Sequence, residues 1–306
     1  DEDVAVTVDV LANDTDAEND SLTVTDVAEP SNGAVVLNSN GTITYSHSVV
    51  TPVIVAPGNP RVIPLEPEFI TPQDGHKKQD CENAAAKRWL GQFAKRYRAL
   101  GITILGDDLY CKQPLCEAIR QQGLNFILVC KPDSHTTLYE WVAGLAVTGG
   151  VQTREVERRK GKRRYTDTYR FVNQVPLRDG EGALDVNWCE LTTTRDDGKV
   201  VYKNAFATNH PITAANVAEI VRDGRARWKV ENENNNTLKT KGYHLTHNFG
   251  HGKQYLSSLL ATFNLLAFLL HTALELVDDL YRFLRRALHR RVTFFNDMRA
   301  LCRYHD

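Results

Sequence analysis

The chain has 306 residues, of which 42 % are hydrophobic and 25 % are charged, and its formal net charge is −1. This length allows one large domain or two smaller ones, and the composition excludes global disorder because enough apolar side chains are present to build a core. The near-zero charge hides an uneven distribution, since residues 1–48 hold ten of the 38 acidic residues and none of the 37 basic ones. This asymmetry indicates two segments with different partners.

Residues 1–48 predict a small all-β fragment. Four stretches rich in β-branched residues are separated by polar turns: VAVTVDV, SLTVTDV, GAVVLN and GTITYS. Between the first two stretches, acidic side chains two residues apart offer oxygen ligands for Ca²⁺, or form only an acidic surface turn: Asp14, Asp16, Glu18 and Asp20. The segment resembles about half of a cadherin-like repeat from bacterial surface adhesins, and half a sandwich should be poorly stable alone.

From residue 50 the pattern becomes that of an α/β layer structure. TPVIVAP and RVIPLEPEFI predict a hairpin around Gly58-Asn59, and Asp80 is expected to cap a helix from about Cys81 to Leu100. Two apolar strands, ITILG and NFILV, flank a short helix that has Pro114 in its first turn and Gly123 after its last.

Residues 151–210 predict antiparallel strands, inserted into the α/β part, and two long helices follow. The first helix is expected over residues 213–240 and the second, strongly apolar, from about Gln254. Residues 256–277 are long enough to span a membrane. Because this stretch contains His271 and Glu275 and runs into a charged helix, we expect a buried core helix and no membrane partner.

The six cysteines form no disulfide framework. Cys111 and Cys116 are five residues apart without a second close pair, which gives only weak support for a structural zinc site. Scattered thiols are typical of a reducing cytosol, and the first residues lack the basic and apolar stretches of a secretion signal. We therefore expect a cytoplasmic protein.

Asp107 is the first candidate for chemistry. It follows the apolar strand ITILG, and open α/β sheets place their sites at the carboxyl ends of parallel strands. A carboxylate there is well placed to hold a metal ion, although an Asp that only starts a turn or helix looks the same. Asp108 competes for the role, and spacing alone does not separate the two residues.

Glu231 is the second candidate. On a continuous helix, an apolar line continues through Glu231; its members are Val217, Val221, Gly224, Trp228, Glu231, Asn235 and Leu238. The pattern predicts that Glu231 faces the core, whereas Glu233 points to solvent. A buried carboxylate is costly unless it is paired or binds a metal. Glu231 is therefore a metal ligand, a structural partner of Arg227 one turn earlier, or both.

Two motifs resemble those of insertion-sequence DDE transposases. GDDLYCKQP is similar to their second-acid motif, an Asp with a Tyr three residues later, and RARWKVENENNNTLKTKGYH is similar to their third, Arg-Trp-x-aliphatic-Glu with a following Lys. The order of the motifs and the β-rich insertion between them agree as well. The resemblance spans residues 47 to about 280 and implies a ribonuclease-H-like core with Asp107 and Glu231 as second and third catalytic acids.

The resemblance also implies ligands and partners. In this family three carboxylates hold Mg²⁺ or Mn²⁺ for phosphodiester cleavage and strand transfer on transposon-end DNA. Arg227 and Lys239 would accompany the Glu and contact DNA phosphates, and a homodimer is compatible with the family. Two positions depart from the pattern, since Gly224 stands where the family usually has Tyr and Leu238 where it usually has Lys.

Two further clusters are candidates for contact with DNA. EVERRKGKRRY predicts a hairpin tip that is either simply solvated or contacts phosphates; its basic residues are Arg158, Arg159, Lys160, Lys162, Arg163 and Arg164. His244, His247 and His251 lie close together in sequence, but the neighbouring glycines favour a loop that touches the DNA backbone over a zinc site.

The first acid of the family is missing. It lies on the strand before the TPVIVAP hairpin, and no Asp occurs between Asp26 and Asp74. Asp26 would substitute only if the SLTVTDV strand entered the sheet. We therefore expect an N-terminally truncated transposase, joined near residues 45–47 to the adhesin-like fragment, with impaired metal binding and no strand cleavage.

The predicted fold is α/β, with a ribonuclease-H-like core, a β-strand insertion and C-terminal helices, preceded by a small all-β cadherin-like fragment. The expected domains are the fragment (1–46), the first part of the core (47–150), the insertion (151–210) and the C-terminal helices (211–306). The alternative function is a calcium-binding cell-surface adhesion protein that works through its N-terminal repeat. The basic remainder favours the DNA hypothesis.

Overall fold

The computed structural model describes residues 6–16, 21–28, 34–46, 48–70, 81–247 and 255–304. The chain divides into two compact units, one of Ala86–Trp228 and one of Asp1–Ala85 with Lys229–Asp306. We name them the middle unit and the terminal unit, after their positions in the sequence.

The N-terminal part of the terminal unit is a three-stranded antiparallel sheet with the order β1-β3-β2. Its strands are β1 (Val6–Val8), β2 (Ala34–Leu37) and β3 (Ile43–Ser46). The prediction of a strand in SLTVTDV is wrong, because residues 21–28 have no regular structure. There the Asp26 carboxylate accepts a hydrogen bond from the N–H of Val27, and local bonds of this kind compete with a strand ladder.

Two short antiparallel strand pairs follow in the same unit. The four strands are β4 (Ser48–Val50), β5 (Val53–Ile54), β6 (Ile63–Pro64) and β7 (Glu68–Ile70). Strand β4 pairs with β7 and β5 pairs with β6. The β5–β6 pair confirms the predicted hairpin, and Gly58 in its turn has φ +77°, a left-handed conformation that glycine adopts without strain.

The predicted order of helix, strand, helix and strand comes next, and a further helix that was not predicted follows. Helix α1 (Glu82–Arg98) is followed by β8 (Thr103–Gly106), α2 (Gln113–Gln121), β9 (Asn125–Val129) and α3 (Thr136–Val147). The predicted cap of α1, Asp80, lies outside the described residues. Strands β8 and β9 are parallel, so their carboxyl ends meet at one edge of the sheet.

The predicted insertion forms four long antiparallel strands. These are β10 (Gln152–Lys160), β11 (Arg163–Pro176), β12 (Asp185–Arg195) and β13 (Val200–Thr208). They do not form a sheet of their own, because β13 pairs with β9 and the whole sheet has the order β10-β11-β12-β13-β9-β8. The insertion and the α/β part therefore share one six-stranded sheet.

Helix α4 (Val217–Arg225) packs on this sheet and covers its main core. Fully or nearly fully buried side chains from β9, β11, β12, β13 and α4 form the core; they include Ile127, Phe171, Leu191, Phe206 and Val221. At Gly224 the helix lies so close that an added Cβ would be 2.8 Å from Cγ2 of Ile127 and 2.9 Å from the Phe206 ring. Only glycine fits this contact without a shift of its neighbours.

The predicted single helix over residues 213–240 is a chain of four helical pieces. After α4 the backbone winds into a 3₁₀ turn (Ala226–Trp228), a π-helical turn (Val230–Asn235) and the short helix α5 (Asn236–Thr240). The number of residues per turn changes at each junction, so side chains that a regular α-helix would align are rotated apart.

Three C-terminal helices complete the terminal unit: α6 (Leu256–Val277), α7 (Asp279–Ala287) and α8 (Arg291–Tyr304). Leu265 and Phe268 of α6 join Leu238 and Tyr243 in a second core. The prediction that α6 is a buried core helix is wrong for most of its surface, because only 17 % of its most apolar stretch is buried. By length and composition alone the helix could cross a membrane, which is weak evidence for a single helix.

Candidate functional site

Asp107 lies where the sequence predicted it, directly after β8. Its Oδ1 accepts a hydrogen bond from the backbone N–H of Leu109 at 3.0 Å, and its carbonyl accepts one from the N–H of Tyr110, so the residue opens a tight turn. The side chain is half-buried. Among the described residues no hydrogen bond to its Oδ2 is present, so this oxygen has lone pairs available for a ligand.

The turn after β8 depends on a close backbone approach. A Cβ added at Gly106 would be 2.9 Å from Cδ2 of Leu128 and 3.0 Å from Cβ of Tyr110. Tyr110 is the tyrosine of the GDDLY motif, and it folds back over this glycine. The motif therefore encodes the shape of the turn that presents Asp107.

The structure separates Asp107 from its competitor. Both carboxylate oxygens of Asp108 are engaged by the β9–α3 connection: Oδ1 accepts from the backbone N–H of Lys131 at 2.6 Å and Oδ2 from the hydroxyl of Ser134. Asp108 thus links two loops at the carboxyl end of the sheet. Asp107 is the less constrained carboxylate of the pair and the better candidate for catalysis.

The Arg-Trp segment of the third motif packs against the same strand. The 3₁₀ turn that contains Arg227 contacts β8, within the middle unit. One turn earlier, Gly224 stands where the resembling family usually has Tyr, and the contact with Ile127 and Phe206 leaves no space there for a larger side chain. The packing of α4 on β9 and β13 therefore accounts for this departure from the family pattern.

Glu231 lies in the π-helical turn and belongs to the terminal unit. The prediction that it faces the core is wrong, because Glu231 is exposed and Glu233, predicted to be solvated, is half-buried. Trp228 on the same predicted line is 59 % exposed, whereas Asn234 is fully buried. The 3₁₀ and π turns shift the phase of the helix and carry Glu231 to the surface.

The end of the motif also deviates from the family pattern for a packing reason. Leu238 occupies the position where the family usually has Lys, and it is fully buried in the core of the terminal unit. A lysine there would lose its hydration without a partner in that core. Lys239, the predicted DNA contact, follows it in α5 and is half-buried.

The basic run forms a hairpin tip, as predicted. Strands β10 and β11 meet at a turn with Gly161 at φ +60°, and the six basic residues around it are exposed: Arg158, Arg159, Lys160, Lys162, Arg163 and Arg164. Asp167 holds Arg158 with an Nε–Oδ2 distance of 2.6 Å, and Asp196 accepts from Arg163 at 3.1 Å. With Glu155 and Glu157 on β10, four carboxylates face six cations, so the tip carries a net positive charge.

The remaining candidate ligands are only partly described. Asp14 is exposed and Asp16 half-buried, whereas Glu18 and Asp20 lie outside the described residues, so the calcium prediction stays open. His244 and His247 are exposed on a loop, in agreement with the loop prediction, and His251 lies outside the described residues. No metal cluster involves these histidines in the part of the chain that the structure describes.

One group of side chains escaped the sequence analysis. Cys111, Cys130 and His135 meet in the interior of the middle unit, and their ligand atoms all lie within 4.8 Å of one another. A hydrogen bond with Cys130 and burial raise the pKa of Cys111 well above its usual value. The available signal was that Cys111 and Cys130 each follow one of two parallel strands, which brings them to one edge.

Family models match two parts of the chain. The model of the transposase DDE domain matches residues 70–267, and that of a bacterial Ig domain matches residues 1–52. No curated protein matches the chain. Because the first match covers more than half of the sequence, the assignment is clear. The chain belongs to the DDE transposase family.

The matches confirm the family and the fold class. The transposase domain carries a fragment of a bacterial Ig domain at its N-terminus; its more specific cadherin-like character stays a prediction. DDE transposases bind DNA, act with divalent metal ions and are typically soluble cytoplasmic proteins. By donor type the carboxylates of Asp107 and Glu231 suit such ions, because Mg²⁺ and Mn²⁺ prefer oxygen ligands.

Proposed function

We propose that this protein is a DDE transposase that retains DNA binding but does not cleave DNA. The observation that carries the proposal is the presence of two acid motifs without a first acid. GDDLYC ends β8 with a carboxylate that has an available oxygen, whereas residues 27–73 contain no Asp. This interval includes the stretch just before the β5–β6 hairpin, where the family's first Asp would lie.

In this proposal Asp107 and Glu231 are the second and third acids of the site. They would hold Mg²⁺ or Mn²⁺, which in this family activates water or a DNA 3′-hydroxyl for attack on a phosphodiester. Asp107 lies on a half-buried turn of the middle unit and Glu231 on an exposed turn of the terminal unit. Arg227 and Lys239 would contact phosphates beside them.

Loss of the first acid removes the carboxylate that would bridge two ions. Asp26 does not replace it, because residues 21–28 form no strand that could enter a sheet. Two remaining carboxylates bind a hard cation more weakly than three and do not fix a pair of ions for in-line attack. Catalysis therefore fails even where DNA binding persists.

A plasmid-nicking assay tests the catalytic part. The full chain is incubated with supercoiled plasmid in Mg²⁺ and separately in Mn²⁺, beside an Asp107→Ala variant prepared in parallel. We expect the same background of open circles from both proteins. Nicking by the parent chain that disappears in Asp107→Ala would show that the site is active and would refute the proposed loss of cleavage.

Retention on DNA tests the binding part. The double variant Arg159→Ala/Lys162→Ala removes two tip cations that the carboxylates of Asp167 and Asp196 do not hold. If both contact phosphates, the slope of log K against log salt decreases by roughly 0.9 per contact. Arg120→Ala, an exposed cation on α2, is the matched control and should leave the slope unchanged. Equal slopes for all three proteins would exclude the tip from the interface.

The match to a bacterial Ig domain supports a second candidate function, calcium-dependent adhesion through the N-terminal fragment. Asp14, Asp16, Glu18 and Asp20 would supply the oxygen ligands. In this case Ca²⁺ raises the melting temperature of the fragment, and Asp14→Asn/Asp16→Asn abolishes the shift. Hydrogen exchange of peptides from residues 1–46 with and without Ca²⁺ measures the effect directly; unchanged exchange would argue against this candidate.

A further inference from the structure

The interior group Cys111, Cys130 and His135 is built from three neighbouring connections of the middle unit. Cys111 ends the turn that follows β8, Cys130 directly follows β9, and His135 precedes α3. All three side chains are buried, with exposures of 0 %, 1 % and 5 %. Two thiols and an imidazole thus lie together in the protein interior. They lie at the carboxyl ends of the two parallel strands β8 and β9.

Backbone hydrogen bonds hold each of the three positions. The N–H of Cys111 donates to the carbonyl of Asp108, the N–H of Cys130 donates to the carbonyl of Ala205 on β13, and the N–H of His135 donates to the carbonyl of Pro132. The hydroxyl of Tyr139 donates to the carbonyl of Cys130 at 2.8 Å. The three side chains are therefore presented by a fixed frame.

The imidazole has a polar atom without a hydrogen bond. Nε2 of His135 is buried and has no partner of good geometry among the described residues. Leaving a buried polar atom unpaired is unfavourable, and such an atom requires a specific explanation. A ligand between the histidine and the two thiols would provide one.

A fourth donor lies beside the histidine, although it is not within 4.8 Å of all three of the other donor atoms. Oδ1 of Asp108 is 3.5 Å from Nε2 of His135. In a tetrahedral zinc site, a bound nitrogen and a bound oxygen are about 3.3 Å apart, and two bound sulfurs about 3.8 Å apart. The observed spacing of the cysteine and histidine donors, within 4.8 Å, requires only a small inward movement to reach these values.

We propose that Cys111, Cys130 and His135 bind a zinc ion, with the carboxylate of Asp108 in the fourth position. Soft sulfur ligands select Zn²⁺ over Mg²⁺ and Mn²⁺, so this site is chemically distinct from the carboxylate site at Asp107. With four protein ligands it is closed and structural. Asp108 then serves the zinc ion and the β9–α3 connection, whereas its half-buried neighbour Asp107 remains the candidate acid for catalysis.

Metal content and cobalt substitution test the proposal on the full chain. Protein purified from a zinc-supplemented culture should contain about one zinc per chain by mass spectrometry. Replacement by Co²⁺ should give the intense near-ultraviolet absorption of thiolate–cobalt charge transfer. Both measurements use the unmodified protein, so they do not depend on whether a variant folds.

Variants assign the ligands. Cys111→Ser and His135→Asn should each weaken zinc binding by more than about tenfold, since loss of even an outer partner costs 10–100-fold. Cys189→Ser is the matched control, because Cys189 is also fully buried in the middle unit but lies outside the group. It should retain the parent zinc content and cobalt spectrum.

Two results would overturn the proposal. One is parent protein without zinc or cobalt absorption and with reactive Cys111 and Cys130 thiols in mild denaturant. The other is a Cys111–Cys130 disulfide found by mass spectrometry without reduction, which would make the group a redox pair. The proposed DNA binding is measured separately by salt-dependent retention, so failure of one proposal leaves the other intact.

Discussion

The middle unit and the terminal unit are stabilised in different ways. The middle unit has one six-stranded sheet with a helix packed on it at Gly224, and its core is apolar. The terminal unit combines short strand pairs with three helices around a smaller core. There Glu275 pairs with three arginines: Arg61, Arg285 and Arg291. The middle unit should therefore respond most to changes in volume, and the terminal unit to changes in charge and protonation.

The distribution of tryptophan allows the two units to be followed separately. All four tryptophans of the chain lie in the middle unit: Trp89, Trp141, Trp188 and Trp228. Tryptophan fluorescence therefore reports the middle unit alone, whereas hydrogen exchange of peptides from α6, α7 and α8 reports the terminal unit.

The largest effect is expected from a cavity in the middle unit. Phe206 on β13 is fully buried, so Phe206→Ala should reduce the free energy of unfolding by about 3–5 kcal/mol. Urea unfolding followed by tryptophan fluorescence measures this loss. Val200→Ala, at a 52 % exposed position of the same strand, is the control and should cost far less. Equal losses would show that the sheet core is not the main source of stability.

A pair of identical substitutions sharpens the packing argument. Gly224→Ala introduces a Cβ 2.8 Å from Ile127 and should destabilise the middle unit by about 1–3 kcal/mol. Gly91→Ala in α1, where no heavy atom of the described residues outside the helix lies within 4 Å of an added Cβ, should instead stabilise it by about 0.5–1 kcal/mol through helix propensity. Urea midpoints measure both changes; stabilisation by both substitutions would contradict the proposed close contact at α4.

In the terminal unit, removal of one charge should have a comparable or smaller effect. Glu275→Gln keeps the shape of the side chain but leaves Arg285 and Arg291, both largely buried, without their carboxylate. We expect a loss of about 1–3 kcal/mol, measured as faster hydrogen exchange in α6. Asp279→Asn in the same unit, which disrupts the pair of the exposed Asp279 with Arg282, should change stability by less than about 0.5 kcal/mol. Similar exchange in both variants would exclude a stabilising role for Glu275.

The smallest effect is a dependence on pH. Burial, with Arg291 and Arg285 nearby, lowers the pKa of His271 below its usual 6.5. The folded form therefore prefers neutral histidine, so this contribution is present above pH 6.5 and is lost as the pH falls below it. His271→Gln keeps a partner for the Tyr243 hydroxyl, 2.7 Å from Nδ1, and should flatten the decline in helix protection between pH 7 and pH 5. If helix protection depended on pH in the same way in His271→Gln as in the parent protein, other groups would be the cause of the decline.

The middle unit provides an internal comparison for this pH effect. Burial also lowers the pKa of His210, whose Nε2 lies 3.0 Å from the hydroxyl of Thr103 on β8. Tryptophan fluorescence should therefore show a separate, acid-sensitive step that His271→Gln does not alter. Titration of both histidines by NMR would give each pKa. A value above 6.5 would reverse the predicted pH dependence of stability for that histidine, and a value of 6.5 would remove it.

Much of the fold could be predicted from the sequence because its signals are local. The strand before Asp107 follows from a short apolar pattern, and the hairpin at Gly58 and the basic tip at Gly161 each follow from a short pattern and a glycine in a left-handed conformation. These signals depend only on residues that are neighbours in the sequence, so they can be recognised without knowledge of tertiary contacts.

The orientation of Glu231 could not be predicted in the same way. A periodic pattern places a side chain only if the helix keeps 3.6 residues per turn, and here a 3₁₀ turn and a π turn intervene. The choice between Asp107 and Asp108 depended on Lys131 and Ser134, far along the chain. Non-local contacts of this kind cannot be inferred from the spacing of residues along the sequence.

The pairing of β13 with β9 has a consequence for how this protein could be shortened. Phe206 and Ala207 of β13 face Val129 and Leu128 across the ladder, so the last strand of the insertion lies directly beside the strand that leads to Cys130. An excision of residues 151–210 would remove one of the two neighbours of β9 and leave a nearly fully buried apolar strand with an open row of amides on that side. Any viable trimming, natural or engineered, must cut inside the β10–β12 meander and spare β13.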